Sequence, residues 1–320
     1  TISVIVLDAD TEKLVSAACN TRADISEARR QAGSIVKPII CYAPAMEMGL
    51  LTPMTPLLDK PIGIGNYRPT NYGDIYYGWV TATESLGLSL NVPAVNLLDM
   101  VGIERAKQFA VRFGLKLTEN DDGLALALGS SLQGETLMNL AKAYCKFARC
   151  DGVAVSRETA YLINRMLEKC ASEGTAKVLS GINNVAAKTG TVGSKYGNTD
   201  AYCIAYNSDY LVAVWVGTDN SFLPDNITGG SLPAEICADI MKTPALRCEG
   251  FEKPETVIDI EIDSSVLDNK HKVVRADNNT PIRDRISAEF SVYNMPEART
   301  NGDLIIGDYD NFRIVDRFTD

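Results

Sequence analysis

"RQAGSIVKPIICYAP", residues 30–44, sets a serine three places before a lysine and follows the lysine at once with a proline. Pro38 has no N–H to give, and its ring crowds the carbonyl four residues back. A helix that begins at about Ser34 puts Pro38 near its first turn, where the missing donor does least harm, and places Ser34 and Lys37 on one face. The spacing predicts a helix from about Ser34 to Leu50, kinked at Pro44 and ended by Gly49 and the breaker "TPMTP" at 52–56. Read alone, the pair equally fits an ordinary helix start, with Ser34 as cap and Lys37 solvated.

Working outward, "ISVIVLDADTEKLVSAA" (2–18) reads as two strands joined by a polar turn over Asp8 to Lys13. Residues 51–80 are rich in Pro, Gly, Asn and Tyr without a clear period, which predicts a long irregular surface connection. From Thr81 to Leu167 apolar residues recur three and four apart, with Gly102, Gly114 and Gly152 where helices should stop. The period then changes to strand in "NVAAKTGTVG" (184–193), "TDAYCIAYNSD" (199–209) and "YLVAVWVGTD" (210–219), and "SLPAEICADIMKT" (231–243) closes as a helix. This order predicts an α+β domain over 1–248, with its helical part at roughly 81–180 and a mostly antiparallel sheet whose first and last strands are far apart in sequence. Residues 249–320 read as an acidic C-terminal extension with strands at "TVIDIEID" (256–263) and "DLIIGDYDNFRIVDRF" (303–318).

Composition bounds the chemistry. In 320 residues, 46% hydrophobic and 22% charged content fits a soluble globular protein, and a net charge of −10 argues against a nucleic-acid surface. No stretch approaches the roughly 20 apolar residues of a membrane helix. The first residues lack a Met and a signal-peptide layout, so the chain reads as starting inside a domain, with an anchor expected upstream. Eight cysteines form no C-x-x-C, and no Cys/His spacing points to zinc; those in apolar runs, such as Cys203, read as buried free thiols. The single histidine, His271, lies in polar "DNKHKVV" and reads as a surface residue, which leaves no Ser-His-Asp triad.

A serine nucleophile here needs another base, and a lysine serves if burial or a neighbouring cation lowers its pKa. Lys37 precedes the apolar "PIICYAP", where burial is available. The cation has a candidate in "VAAKTGTVG": Lys188 is followed by Thr189, Gly190 and Thr191, and Gly190 would let a substrate backbone approach the strand. Alternation puts Lys188 and Gly190 on one face and the two threonines on the other, leaving open which threonine enters a site. In "TESLGLSLNVPAVNLL" (83–98), Ser89 and Asn91 flank Leu90, so a turn there would bring a hydroxyl and an amide to one cavity, or cap the next helix.

Together these strings follow the order S-x-x-K, S-x-N, K-T-G. With "YRPTNYGDIYYGWVTATESLGLSLNVPAVNLL", "LALGSSLQGETLMNLAKAYCKFARCDG", "VWVGTDN" and the "TGG" at 228–230, the chain from Thr1 to about Thr243 resembles the transpeptidase domain of penicillin-binding proteins, within the bifunctional class A group. The resemblance implies a serine β-lactamase/D,D-peptidase-like fold with an all-helical subdomain. It implies that Ser34 attacks the D-Ala-D-Ala carbonyl of peptidoglycan stem peptides while Lys37 takes its proton. Ser89 would pass a proton to the leaving D-alanine with help from Lys188, and Asn91 would hold Lys37 and the substrate amide. Thr189, Gly190 and Thr191 would bind substrate, and the backbone N–H groups of Ser34 and Thr191 would form the oxyanion hole. No cofactor or metal is implied. Expected partners are stem peptides, β-lactam antibiotics and an upstream glycosyltransferase domain with its membrane anchor, on the outer face of the bacterial cytoplasmic membrane. A D,D-carboxypeptidase, a β-lactamase and a β-lactam sensor or scaffold without turnover are the alternatives. Ser-Leu-Asn in place of Ser-Asp-Asn favours a penicillin-binding protein over a class A β-lactamase, and Glu135, read as part of an amphipathic helix, lacks the Glu-x-x-Leu-Asn string of a deacylating glutamate.

Overall fold

The computed structural model describes residues 1–21, 28–219, 221–246 and 248–300, so the strand expected at 303–318 lies outside the described residues. The N-terminal strands β1 (Ile2–Asp8) and β2 (Leu14–Cys19) form a hairpin. β1 also pairs antiparallel with a strand some two hundred residues later, from Ile2↔Val216 to Asp8↔Tyr210. The sheet thus joins antiparallel strands far apart in sequence, as expected of this element order. Between these elements, residues 51–80 depart from the irregular connection expected of them. Four-residue strands β3 (Pro56–Asp59) and β4 (Gly78–Thr81) pair antiparallel and frame the loop that joins them. Strands so short give no readable alternation.

The helix expected from Ser34 forms in three pieces, and the two prolines explain them. Gly33–Val36 is a 3-10 turn, Pro38–Tyr42 a π-helical turn and Ala43–Glu47 an α-helix, α1. Pro38 cannot donate to the Ser34 carbonyl, so Lys37 N–H takes it one residue early; ahead of Pro44, Ala43 N–H reaches back five residues to Pro38. The segment stops at Gly49, in the left-handed region at φ 70°.

The helical block contains α2 (Ala82–Gly87), α3 (Asn91–Val101), α4 (Ile103–Arg112), α5 (Leu137–Arg149) and α6 (Arg157–Ser172). Strands β5 (Ala186–Ser194), β6 (Gly197–Tyr206) and β7 (Tyr210–Gly217) complete a five-stranded sheet in the order β2-β1-β7-β6-β5. Consecutive residues from Ala201 to Tyr206 and from Leu211 to Val216 are buried, so both faces of the sheet are covered. Helix α7 (Leu232–Met241) lies on β6 and β7, α5 on β7 and β1, and α6 on β5.

The C-terminal extension begins with the expected strand, β8 (Val257–Asp263). After α8 (Ser264–Lys270) come β9 (Val274–Arg275), β10 (Arg285–Ser291) and β11 (Glu297–Ala298), in a second sheet ordered β10-β8-β9-β11. Its small core is Ile262, Leu267 and Phe290. His271 is not a free surface residue: it caps α8 and stacks on Trp79 of β4, with ring centroids 4.2 Å apart, at the seam between the two sheets' units. A cavity of about 630 Å³ opens at the same seam, and none of the expected catalytic residues lines it. All eight cysteines are free thiols, and Cys203 is buried as expected. Among the described residues no helix is long and apolar enough to cross a membrane.

Candidate active site

Three segments distant in sequence meet at two buried lysines. The 3-10 turn carrying Ser34 packs against β5, and two glycines permit the approach. A Cβ on Gly33, whose φ is +57°, would lie 3.2 Å from the Thr191 carbonyl oxygen. A Cβ on Gly190 would lie 2.8 Å from Ile35 Cγ1 and 3.2 Å from the Ala32 carbonyl oxygen. The space expected at Gly190 for a substrate backbone is therefore filled by the start of the protein's own helix. The Ser34 backbone is thereby set beside that of Thr191.

Lys37 has no exposed surface. Its Nζ donates to the Ser89 carbonyl (2.5 Å), the Leu90 carbonyl (3.1 Å) and Asn91 Oδ1 (2.7 Å), with Ser89 Oγ at 3.5 Å. Lys188 is equally buried and donates to Ser89 Oγ at 2.7 Å and to the Thr189 carbonyl at 2.7 Å. Ser89 thus stands between the two amines. It holds φ at +57°, a strained setting for a non-glycine residue, in the turn between α2 and α3. Lys37, Ser89, Asn91 and Lys188 are brought together by direct bonds. Ser34 sits one turn before Lys37 and half-buried, but among the described residues its Oγ makes no hydrogen bond to Lys37.

Burial, and after it the Lys188 cation, hold Lys37 well below the usual lysine range, while Cys41 and Asp59 pull weakly the other way. Burial lowers Lys188 to about 8. A neutral Lys37 has two N–H groups for three close acceptors, so its deprotonation releases one of them and frees a lone pair.

The expected alternation along β5 holds. Lys188 turns to Ser89 and Gly190 to Ile35, whereas the Thr189 hydroxyl lies 2.6 Å from that of Thr175 and Thr191 Oγ1 accepts from Gly229 N–H at 3.0 Å. Thr189 is buried in that pair; Thr191 is half-buried, and with its oxygen occupied it keeps a hydroxyl proton to give.

Several supporting residues were not singled out by their sequence pattern. Arg30, four places before Ser34, donates to Asp200 Oδ1 (2.7 Å), Asp219 Oδ1 (2.5 Å) and the Thr218 carbonyl (2.8 Å), and lies over the Trp215 ring. It ties the approach to the nucleophile segment onto β6 and the end of β7. Asn71 Oδ1 accepts from Asn91 N–H (2.8 Å) and Val92 N–H (3.3 Å), capping α3 from twenty residues away. Glu135 precedes α5 instead of lying within it; its buried carboxylate accepts from Lys116 N–H and Asn139 Nδ2 and is spent on holding the fold.

A family model described as "Penicillin binding protein transpeptidase domain" matches residues 2–242. Penicillin-binding protein 1F of Bacillus subtilis is 31% identical over 265 residues, covering 72% of this chain and 36% of that protein. Penicillin-binding protein 1A of Clostridium botulinum is 29% identical, covering 73% of this chain and 33% of its own length. The chain therefore spans about a third of the length of these relatives. A solved structure of penicillin-binding protein 1A from Haemophilus influenzae superposes with a TM-score of 0.77 at 20% identity, over 93% of this chain and 54% of that one. The PonA1 protein from Mycobacterium tuberculosis, solved in complex with penicillin V, gives 0.68 at 21% identity, over 79% of this chain and 81% of that one. The family model covers most of the chain, and the chain belongs to the penicillin-binding protein transpeptidase domain family.

Proposed function

We propose that the chain is a serine D,D-transpeptidase domain that cross-links peptidoglycan stem peptides through an acyl-enzyme on Ser34 and is acylated there by β-lactams. The observation that carries this is the hydrogen-bonded run from Lys188 through Ser89 to Lys37 and Asn91, beside the turn that holds Ser34. Lys37 takes the Ser34 proton as Oγ attacks the carbonyl between the last two D-alanines, and resting structures often leave such contacts long until substrate binds. Backbone N–H groups of Ser34 and Thr191 stabilise the oxyanion. As the C–N bond breaks, Ser89 passes its proton to the departing amine and takes the one Lys37 received from Ser34, with Lys188 holding the Ser89 oxygen. The amine of a second stem peptide then attacks the ester, forms the new amide and returns Ser34 to its hydroxyl form. Lys188 supplies positive potential for the substrate's terminal carboxylate, and the half-buried Thr191 hydroxyl keeps a proton for it, whereas Thr189 stays paired with Thr175.

In the full-length protein a glycosyltransferase domain and a membrane anchor would precede this chain and hold it on the outer face of the cytoplasmic membrane. Labelling with a fluorescent penicillin tests the assignment. Ser34→Ala should abolish the label and move the thermal midpoint by less than about 2 °C, because the change removes one oxygen at a cleft. A variant that still gains the drug's mass would show that another group is the nucleophile. Product analysis with stem peptide and an amine acceptor separates cross-linking from simple release of D-alanine.

A further inference from the structure

Asp59, the last residue of β3, is 1% exposed. A buried carboxylate without an ion-pair partner is costly unless donors surround it. Here the donors are one side chain and one backbone group: Asn71 Nδ2 reaches both oxygens, at 2.8 and 2.9 Å, and Tyr77 N–H donates at 2.9 Å. The same Nδ2 also donates to the Ile75 carbonyl at 2.9 Å, which leaves Asn71 Oδ1 facing α3, where it accepts from Asn91 N–H. Asn91 is further fixed by donating to the Thr70 carbonyl at 2.7 Å, and its Oδ1 receives Lys37 Nζ at 2.7 Å. An unbroken chain of bonds therefore runs from Asp59 through Asn71 and Asn91 to Lys37.

We propose that Asp59 is a positioning residue for the reaction: its carboxylate fixes which way the Asn71 amide points, and Asn71 sets the Asn91 backbone so that the Asn91 side-chain oxygen Oδ1 meets Lys37. The inference rests on Lys37 acting as the base. Were the Asn71 amide reversed, its NH₂ would face the Asn91 N–H, and two donors would repel. The carboxylate also has an electrostatic reach. The charged or titratable groups that face Lys37 are Lys188 on β5, Cys41 on its own segment and Asp59 on β3; of these, Lys188 opposes a second positive charge and Asp59 favours it. Tyr42, which faces Asp59 too, is buried and stays neutral.

The test is the rate of acylation by a fluorescent penicillin from pH 5 to 9, in the parent, in Asp59→Asn and in the exchange Asp59→Asn with Asn71→Asp. The exchange reverses the amide–carboxylate pair while keeping its bond and its negative charge. Asp59→Asn should lower the plateau rate at least tenfold and move the acid limb to lower pH, because Lys37 then protonates less readily. The exchange should recover most of the rate and return the limb toward the parent's. A single variant with the parent's profile overturns the inference, and so does an exchange that fails to fold or labels no faster than the single variant. If Asp59→Asn itself does not fold, the exchange decides alone. Lys37→Ala run alongside separates the failures: a variant that still labels at the parent's rate removes the base assignment, whereas a dead Lys37→Ala with a parent-like Asp59→Asn removes only the role of Asp59.

Discussion

At the scale of single residues the site holds two lysines without exposed surface, linked through one hydroxyl. The Lys188 cation adds to burial in disfavouring a charge on Lys37, which favours a lone pair there. Lys188, lowered to about 8, is mostly protonated at pH 7 and gives up its proton as the pH rises past that value. Capture of a carboxylate should therefore weaken on the alkaline side, and the acylation rate should fall above about pH 8. Lys188→Arg keeps a charge throughout that range. Its alkaline limb should disappear whatever its plateau rate, and a limb that stays near pH 8 in the arginine variant would assign it to another group. Lys37→Ala should cost roughly a thousandfold in acylation on the plateau above the parent's acid limb, the usual share of a positioned base. Equal and mild losses at both lysines would contradict the division of labour.

At the scale of elements, reactivity depends on how closely the nucleophile's turn rides on β5. Gly190→Ala tests this directly, since the added methyl would press within 2.8 Å of Ile35 Cγ1 and 3.2 Å of the Ala32 carbonyl. The turn must move away, at about 1–3 kcal/mol of stability for overpacking. A shift of that kind at the reacting atoms should lower acylation about a hundredfold with the protein still folded. Folded protein that acylates at the parent's rate would mean that the turn adjusts freely. This dependence also explains what the sequence could reveal. Ser34, Lys37, Ser89, Asn91 and Lys188 could be singled out as candidates because three strings, each weak alone, fall together in the order of a known family pattern, and the helical block and the central strands because their periods run long enough to count. Asp59 and Asn71 were not, since their partners lie across a loop with no period and their burial is a tertiary fact. The π-helical turn between Pro38 and Pro44 was half legible: the prolines announce a broken ladder, but the way it is mended depends on which carbonyls neighbouring residues can reach. His271 misled because a polar stretch hides a stacking partner that arrives from β4.

At the scale of the whole molecule, carboxylates on both sides of the seam fasten the C-terminal sheet to α6: Glu158 of α6 accepts from the Thr256 hydroxyl just ahead of β8, and Glu289 reaches back from β10. Glu289 of β10 accepts from Tyr161 OH at 2.8 Å and from Arg165 Nε at 3.0 Å, and Lys253 Nζ stands 3.1 Å away. Burial alone would raise the Glu289 pKa, but those three donors outweigh it and leave the group below its usual value. A carboxylate whose folded pKa is depressed contributes stability that is present above its unfolded pKa, near 4.5, and is lost as the pH falls through the lower folded value. Glu289→Gln removes the charge while keeping one acceptor oxygen. Arg165 is nearly half exposed and retains Glu168, so the loss at pH 7 should be only about 1 kcal/mol after allowance for solvent screening. The thermal midpoint should therefore fall by a few degrees at pH 7, and the gap from the parent should narrow steadily below pH 4.5 as the parent's own carboxylate takes up its proton. Penicillin labelling of the variant should stay within twofold of the parent, because the seam contains none of the five expected catalytic side chains. A midpoint gap that persists unchanged into acid would show that shape, not charge, joins the sheet to α6, and a large loss of labelling would mean that the extension helps to hold the site itself.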